Sequence, residues 1–181
     1  SMYFKALPND NYCMNDRWGQ EPGQWCYVSQ DCAAGQLSNG GPLRTKACVG
    51  GQDPALGEMS FEDFASYIYR SKLELGLATQ FAYPTWQPEK FPDVQAFWGL
   101  PQPADAQPIS EELRARLQQQ VASGKPMFFV SRDGHPPYGL VEGQKLYYLN
   151  FNPHNPGFAR REDMVLFACV AGCGAESRPL W

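Results

Sequence analysis

Basic residues are scarce in this chain. It carries 15 Lys and Arg against 19 Asp and Glu, a net charge of −4, with a pI near 5.2. Only Arg160 and Arg161 are adjacent, and the other basic residues are scattered. Nucleic acid is therefore excluded as a partner, because phosphate binding needs a basic surface. Charged residues of all kinds reach 19%, below the roughly one quarter of an ordinary soluble domain. Long apolar runs are missing too. The longest, Met164 to Ala171, falls well short of the ~20 residues of a membrane-spanning helix, and no secretory leader is read at the N-terminus. There is no Asn-x-Ser/Thr acceptor, so N-glycosylation gives no support for secretion. Histidine is limited to His135 and His154, which leaves few candidates for acid–base or zinc chemistry.

Cysteine, proline, glycine and aromatics are plentiful. The 181 residues include 6 Cys, 16 Pro and 17 Gly, and aromatics make up 14%. The length suits one domain, or one domain with a small satellite. Cys13, Cys26, Cys32 and Cys48 crowd into an N-terminal stretch otherwise full of Gly, Asn, Asp and Gln. Such a stretch has little apolar material for a core and needs covalent support. All six cysteines, Cys169 and Cys173 included, are expected in disulfides, with their connectivity open. Zinc and free buried thiols are the competing readings. Structural zinc sites use paired short knuckles, and only Cys169 and Cys173 have such spacing. An oxidising compartment follows.

Two units are expected: residues 1–57 as a cysteine-rich disulfide module, and residues 58–181 as an α+β domain. In the first, Trp18, Trp25 and Tyr27 are expected to pack on the bridges. The second opens with a helix capped by Ser60, with Asp63 completing the box and Met59 stapling onto Phe64. Phe61, Phe64, Ile68 and Leu75 form its apolar face, and Gly76 is its expected stop. A second helix starts at Ser110, with Glu111 and Glu112 favouring its dipole. It carries Leu113, Leu117 and Val121 on one stripe and ends at Gly124 and Pro126. Strands are expected at 127–130, 145–151 and 164–170. The fold class is α+β: two helices packed on a small antiparallel sheet, with an N-terminal disulfide-rich loop module.

Residues 81–108 form a Pro- and aromatic-rich segment, too apolar for a linker and too broken for a helix or central strand. It is expected to wrap over the core, with Trp86, Phe91, Phe97 and Trp98 offering contact to a partner. Leu180 and Trp181 at the C-terminus join that expected surface.

Two constellations point to chemistry. Gln20, Cys26, His135 and Asn150 follow the order of the oxyanion-hole Gln, nucleophile, base and orienting Asn of the papain-like cysteine peptidases, which they resemble at those four positions. The stretch after Cys26 is too short and polar for the helix that activates such a thiol, and Cys32 is near enough to bridge it. Asp133, His135 and His154 are the remaining metal candidates, in Pro-rich turns without helical ligand spacing. No metal and no cofactor are expected.

Tyr12-Cys13, Trp25-Cys26-Tyr27-Val28, Cys32 and Lys46-Ala47-Cys48 together resemble a cysteine-rich module of secreted and lumenal proteins of dinoflagellates and related algae. The resemblance covers about residues 12–48 and brings no family for residues 58–181. It implies disulfides, an oxidising compartment and no catalysis. An algal setting makes the thylakoid lumen a candidate beside the exterior, and a peripheral accessory subunit of a photosystem a candidate role. The expected function is thus a non-enzymatic, disulfide-stabilised binding protein whose partner is a protein complex at a membrane surface. A papain-like peptidase and an extracellular ligand-sensing domain are the alternatives.

Overall fold

The computed structural model describes residues 12–37, 43–155, 160 and 162–174. Leu180 and Trp181, expected on the partner surface, lie outside these residues.

The N-terminal module, expected as loops, carries a sheet. Strands β1 (Met14–Asn15), β2 (Gln24–Val28), β3 (Gln36–Leu37) and β4 (Arg44–Ala47) pair antiparallel in the order β1-β2-β4-β3. The pleat explains Trp25-Cys26-Tyr27-Val28, because successive side chains leave opposite faces of a strand. Trp25 and Tyr27 pack against the main core of the molecule. Cys26 and Val28 instead join Cys13, Cys48 and Ala55 in a separate small cluster. The two aromatics therefore anchor the sheet to the domain, where they were expected to pack on the bridges. Asn15 Nδ2 donates to the carbonyl of Ala82 (2.9 Å) and Thr85 N–H to that of Gly19 (2.8 Å). Trp18 stacks on Phe81 with ring centroids 4.5 Å apart.

Helix α1 spans Phe61–Arg70 and starts as its sequence dictates, with Ser60 Oγ accepting from Asp63 N–H. Gly76 does not end it. Lys72 takes a left-handed φ of 55°, and Leu73 N–H reaches back to the Ile68 carbonyl, closing the helix four residues earlier than the glycine suggests. Gly76 lies instead in a further helix, α2 (Leu75–Ala82). Glu74 caps α2 by accepting from Gly76 N–H (2.7 Å) and Leu77 N–H (2.6 Å). A short helix α3 (Phe91–Val94) and helix α4 (Glu111–Ser123) follow. Ser110 caps α4, and Gly124 ends it at a left-handed φ of 69°.

Strands β5 (Met127–Phe129), β6 (Tyr138–Glu142), β7 (Lys145–Phe151) and β8 (Val165–Ala171) form a second antiparallel sheet in sequential order. The α+β class stands, with four α-helices and two small sheets among the described residues. Both faces of the second sheet are covered. Phe128, Leu140, Tyr147, Leu149 and Val165 pack with Phe61, Phe64, Ile68 and Leu75 from α1 and α2. Phe129, Val141 and Leu146 pack with Trp86, Phe91, Val94 and Leu117 on the other side.

The Pro- and aromatic-rich segment wraps this second face. Trp86 N–H donates to the Phe128 carbonyl, Phe128 N–H to that of Pro84, and Phe91 N–H to that of Val130, each at 2.8 Å. The segment thus covers the open edge of β5, where unpaired backbone would otherwise face solvent. Arg116 of α4 lies 4.7 Å over the Trp86 ring and pairs with Glu89 at 2.9 Å. Trp86 Nε1 donates to the same carboxylate at 2.8 Å.

Candidate functional site

Three sulfurs meet on the far face of the N-terminal sheet. The β1–β2 register pairs Met14 with Trp25, so one step back along it Cys13 comes opposite Cys26. The β2–β4 register sets Cys26 opposite Lys46, and Cys48 N–H donates to the carbonyl of Gln24 at 2.8 Å. The Sγ atoms of Cys13, Cys26 and Cys48 all lie within 4.8 Å of one another. Cys13 and Cys48 are bridged, with a sequence separation of 35. The bridge ties the start of β1 to the end of β4 across β2.

Cys26 and Cys32, both expected in bridges, carry free thiols. The reason is positional. Cys26 shares its face with two cysteines that flank it on neighbouring strands, and these have paired with each other. Cys32 sits in the turn beyond β2. Burial pushes the Cys26 thiol up from its ordinary value, and the charge of Lys46 opposes that rise. Lys46 Nζ pairs with Asp53 at 2.5 Å, and the other oxygen of Asp53 accepts from Val49 N–H at 2.9 Å. The hydrogen bond from Lys46 holds the Asp53 carboxyl below the usual carboxylate range. A second bridge joins Cys169 and Cys173, across four positions at the end of β8. Gly172 within it has a φ of 67°, and a Cβ there would stand 1.8 Å from the Gln144 carbonyl oxygen. The hook is pressed onto the β6–β7 turn.

The four positions shared with papain-like peptidases do not assemble their machinery. Cys26 lies buried in mid-strand and not at a helix N-terminus, and its thiol is shifted away from the lowered value a peptidase nucleophile needs. His135 is exposed in the turn before β6. Asn150 belongs to β7 of the other sheet, its side-chain oxygen accepting from Phe151 N–H at 2.8 Å. Gln20 lies in the bend after β1, on the wall of a cleft. The metal candidates are likewise committed to local turns. Asp133 accepts from Ser131 Oγ and His135 N–H, while His154 N–H donates to Asn152 Oδ1. Among the described residues the group with metal-ligand proximity is Cys13, Cys26 and Cys48. With two of its three sulfurs bonded to each other, it offers a metal one free thiol.

Of the expected partner-contact residues, Trp86 and Phe91 are buried, at 9% and 0% exposure. They serve the wrapping role, because the open face of the second sheet needs apolar cover. Phe97 and Trp98 are half-buried against the same cluster. The exposed apolar ground lies beside them. A groove of about 360 Å3 runs between the segment and the sheet, lined by Gln95, Leu100, Pro101, Tyr148 and Val170. Val170 belongs to β8, which among the described residues pairs with β7 alone. The β8 sequence, Val-Leu-Phe-Ala-Cys-Val-Ala, has neither charge nor proline. Both features were present in the sequence, but only the strand order makes β8 an edge.

Comparison with protein-family models, with curated proteins and with solved structures finds no match.

Proposed function

We propose that this chain is a disulfide-stabilised binding protein of an oxidising compartment, and that its partner is a protein adding an extended segment to β8. The observation that carries this reading is the edge of β8. Natural edge strands are blunted by lysine, proline, bulges or a covering element. Tyr69 OH covers the Val165 carbonyl at 3.2 Å and a register shift leaves Val170 out of the β7 ladder, but the rest of this edge is an uncharged strand beside an apolar groove. Strand addition gives affinity through main-chain hydrogen bonds and specificity through pockets beside alternate side chains. The two bridges support the compartment. No helix among the described residues is long and apolar enough to cross a membrane. The resemblance of residues 12–48 to a cysteine-rich module of secreted and lumenal algal proteins supports the oxidising compartment, and a complex at a membrane surface, such as the lumenal side of a photosystem, is the partner this reading names.

The test is Val170→Lys, followed by native gel separation of the source material under non-reducing conditions. The wild-type chain is expected to travel in a larger assembly and Val170→Lys to travel alone. Equal migration of the two removes β8 as the contact.

A further inference from the structure

Cys48 stands on the wall of an open cleft. The cleft holds about 550 Å3 and is lined by Asn15, Gln20, Glu21, Gln24, Cys48 and Gly50 among others. Its lining is about evenly polar and apolar, with Gly19, Gly23 and Gly50 leaving room and Asn15, Gln20 and Gln24 offering amides to a short stretch of peptide. The bridge behind it is reached unevenly. Cys13 is 1% exposed and Cys26 3%, whereas Cys48 is half-buried and borders the cleft. A thiol in the cleft therefore meets Cys48 first, and the free thiol of Cys26 lies behind, within 4.8 Å of both bonded sulfurs.

We propose that the Cys13–Cys48 bridge is a thiol–disulfide exchange site, opened at Cys48 by a peptide thiol bound in the cleft and resolved by Cys26. Exchange runs by attack of a thiolate on one sulfur of a disulfide. The incoming peptide thiol loses its proton to solvent and bonds to Cys48 Sγ. The Cys13–Cys48 bond breaks, and its electron pair stays on Cys13, which takes up a proton. Cys26 then loses its proton and bonds to Cys48 Sγ. The peptide thiolate leaves and is reprotonated. The bridge has moved from Cys13–Cys48 to Cys26–Cys48, Cys13 is a thiol, and no oxidant or reductant has been consumed.

Burial keeps the thiolate fraction of Cys26 small. Two features offset this. Lys46 stands directly opposite Cys26 in the strand register, and its positive charge favours the thiolate, while the Asp53 carboxylate paired with it opposes that in part. The resolving step is also intramolecular, and a held pair of reactants gains far more than the same groups free in solution. A buried cysteine acting only as apolar filler needs neither a neighbouring bridge nor a bridged cysteine on a cleft wall. This inference is independent of what β8 binds.

The test uses the whole oxidised protein with reduced glutathione, itself a cysteine peptide, under native conditions. Samples are acid-quenched, alkylated and peptide-mapped over time. In the wild type, the Cys26–Cys48 pairing and alkylated Cys13 are expected to grow in together. In Cys26→Ser that pairing is lost, and a glutathione adduct accumulates on Cys48. Cys26→Ala serves as the second variant, and the wild-type time course decides alone if neither variant folds. Persistence of Cys13–Cys48 with Cys26 still free overturns the proposal. An adduct confined to Cys32 does the same. A Cys26–Cys32 bridge in the starting protein also overturns it, since no internal thiol then remains.

Discussion

Phe91 packs directly against Gly139 on the outer face of the second sheet, so closely that a Cβ at position 139 would come within 2.3 Å of the ring. Phe91 is also tied by its backbone N–H to the Val130 carbonyl at 2.8 Å. The ring and the missing side chain together seat the wrapping segment.

Gly139→Ala is therefore expected to destabilise the fold by about 1–3 kcal/mol through overpacking. Phe91→Ala should cost about 3–5 kcal/mol. In the Phe91→Ala background the alanine at 139 should cost much less, because contacting residues are not additive. Urea unfolding of the four proteins in this cycle measures the coupling, and additive costs would show that the two residues do not meet.

Arg116 locks α4 onto the segment through the Trp86 ring and Glu89. Arg116→Ala is expected to lower stability by about 1 kcal/mol. Arg116→Lys should recover only part of that, since an ammonium keeps the charge and loses the planar stacking. Tryptophan emission during denaturation checks both. Full recovery in the lysine variant would assign the contact to charge alone.

Glu62 accepts from Lys145 Nζ (3.0 Å) and from Tyr147 OH (2.8 Å). The Lys145 hydrogen bond first, and the Tyr147 hydroxyl second, hold its carboxyl below the ordinary value of 4.5. Its stabilisation is accordingly present above pH 4.5 and lost as pH falls through the lowered folded value. The group is well exposed, so the effect should be only about 0.5 kcal/mol after solvent screening. Melting curves of Glu62→Gln and wild type should differ at pH 7 and converge once the pH has fallen below the lowered folded value. A gap that survives at low pH would contradict the assignment.

The two bridges differ in what they restrain. Chain-entropy arguments give about 4 kcal/mol for the Cys13–Cys48 closure and about 2 kcal/mol for the Cys169–Cys173 closure. Replacing each pair by alanine should shift the denaturation midpoint in that order. The reverse order would show that the hook on the β6–β7 turn stabilises chiefly by its contacts.

The helices that announce themselves by side-chain chemistry were legible. Ser60 and Ser110 cap where their spacing predicts, and β5, β7 and β8 fall within a residue or so of the expected strands. Helix α2 was hidden because its cap is a glutamate, Glu74, and because Gly76 reads as a stop. A Cβ on Gly76 would press on Glu74 and Tyr138, so that glycine answers to packing and not to helix termination. Strand β6 was missed because it is covered on both faces and lacks a clean alternation. Trp25 and Tyr27 were assigned to the bridges because sequence adjacency hides the pleat, which sends them to the opposite face from Cys26. The three-sulfur cluster was beyond reach for a related reason. It depends on Cys13 aligning with Cys26 through the β1–β2 register, which no local pattern encodes.

The central claim is that β8 is where this protein is held by its partner. A photoactivatable cross-linking residue placed at Val170, with a control at exposed Arg114 on α4, tests it in the native source material. The account predicts a covalent product with another protein from position 170 and none from position 114. Equal yields from both positions, or no product from 170, would contradict it.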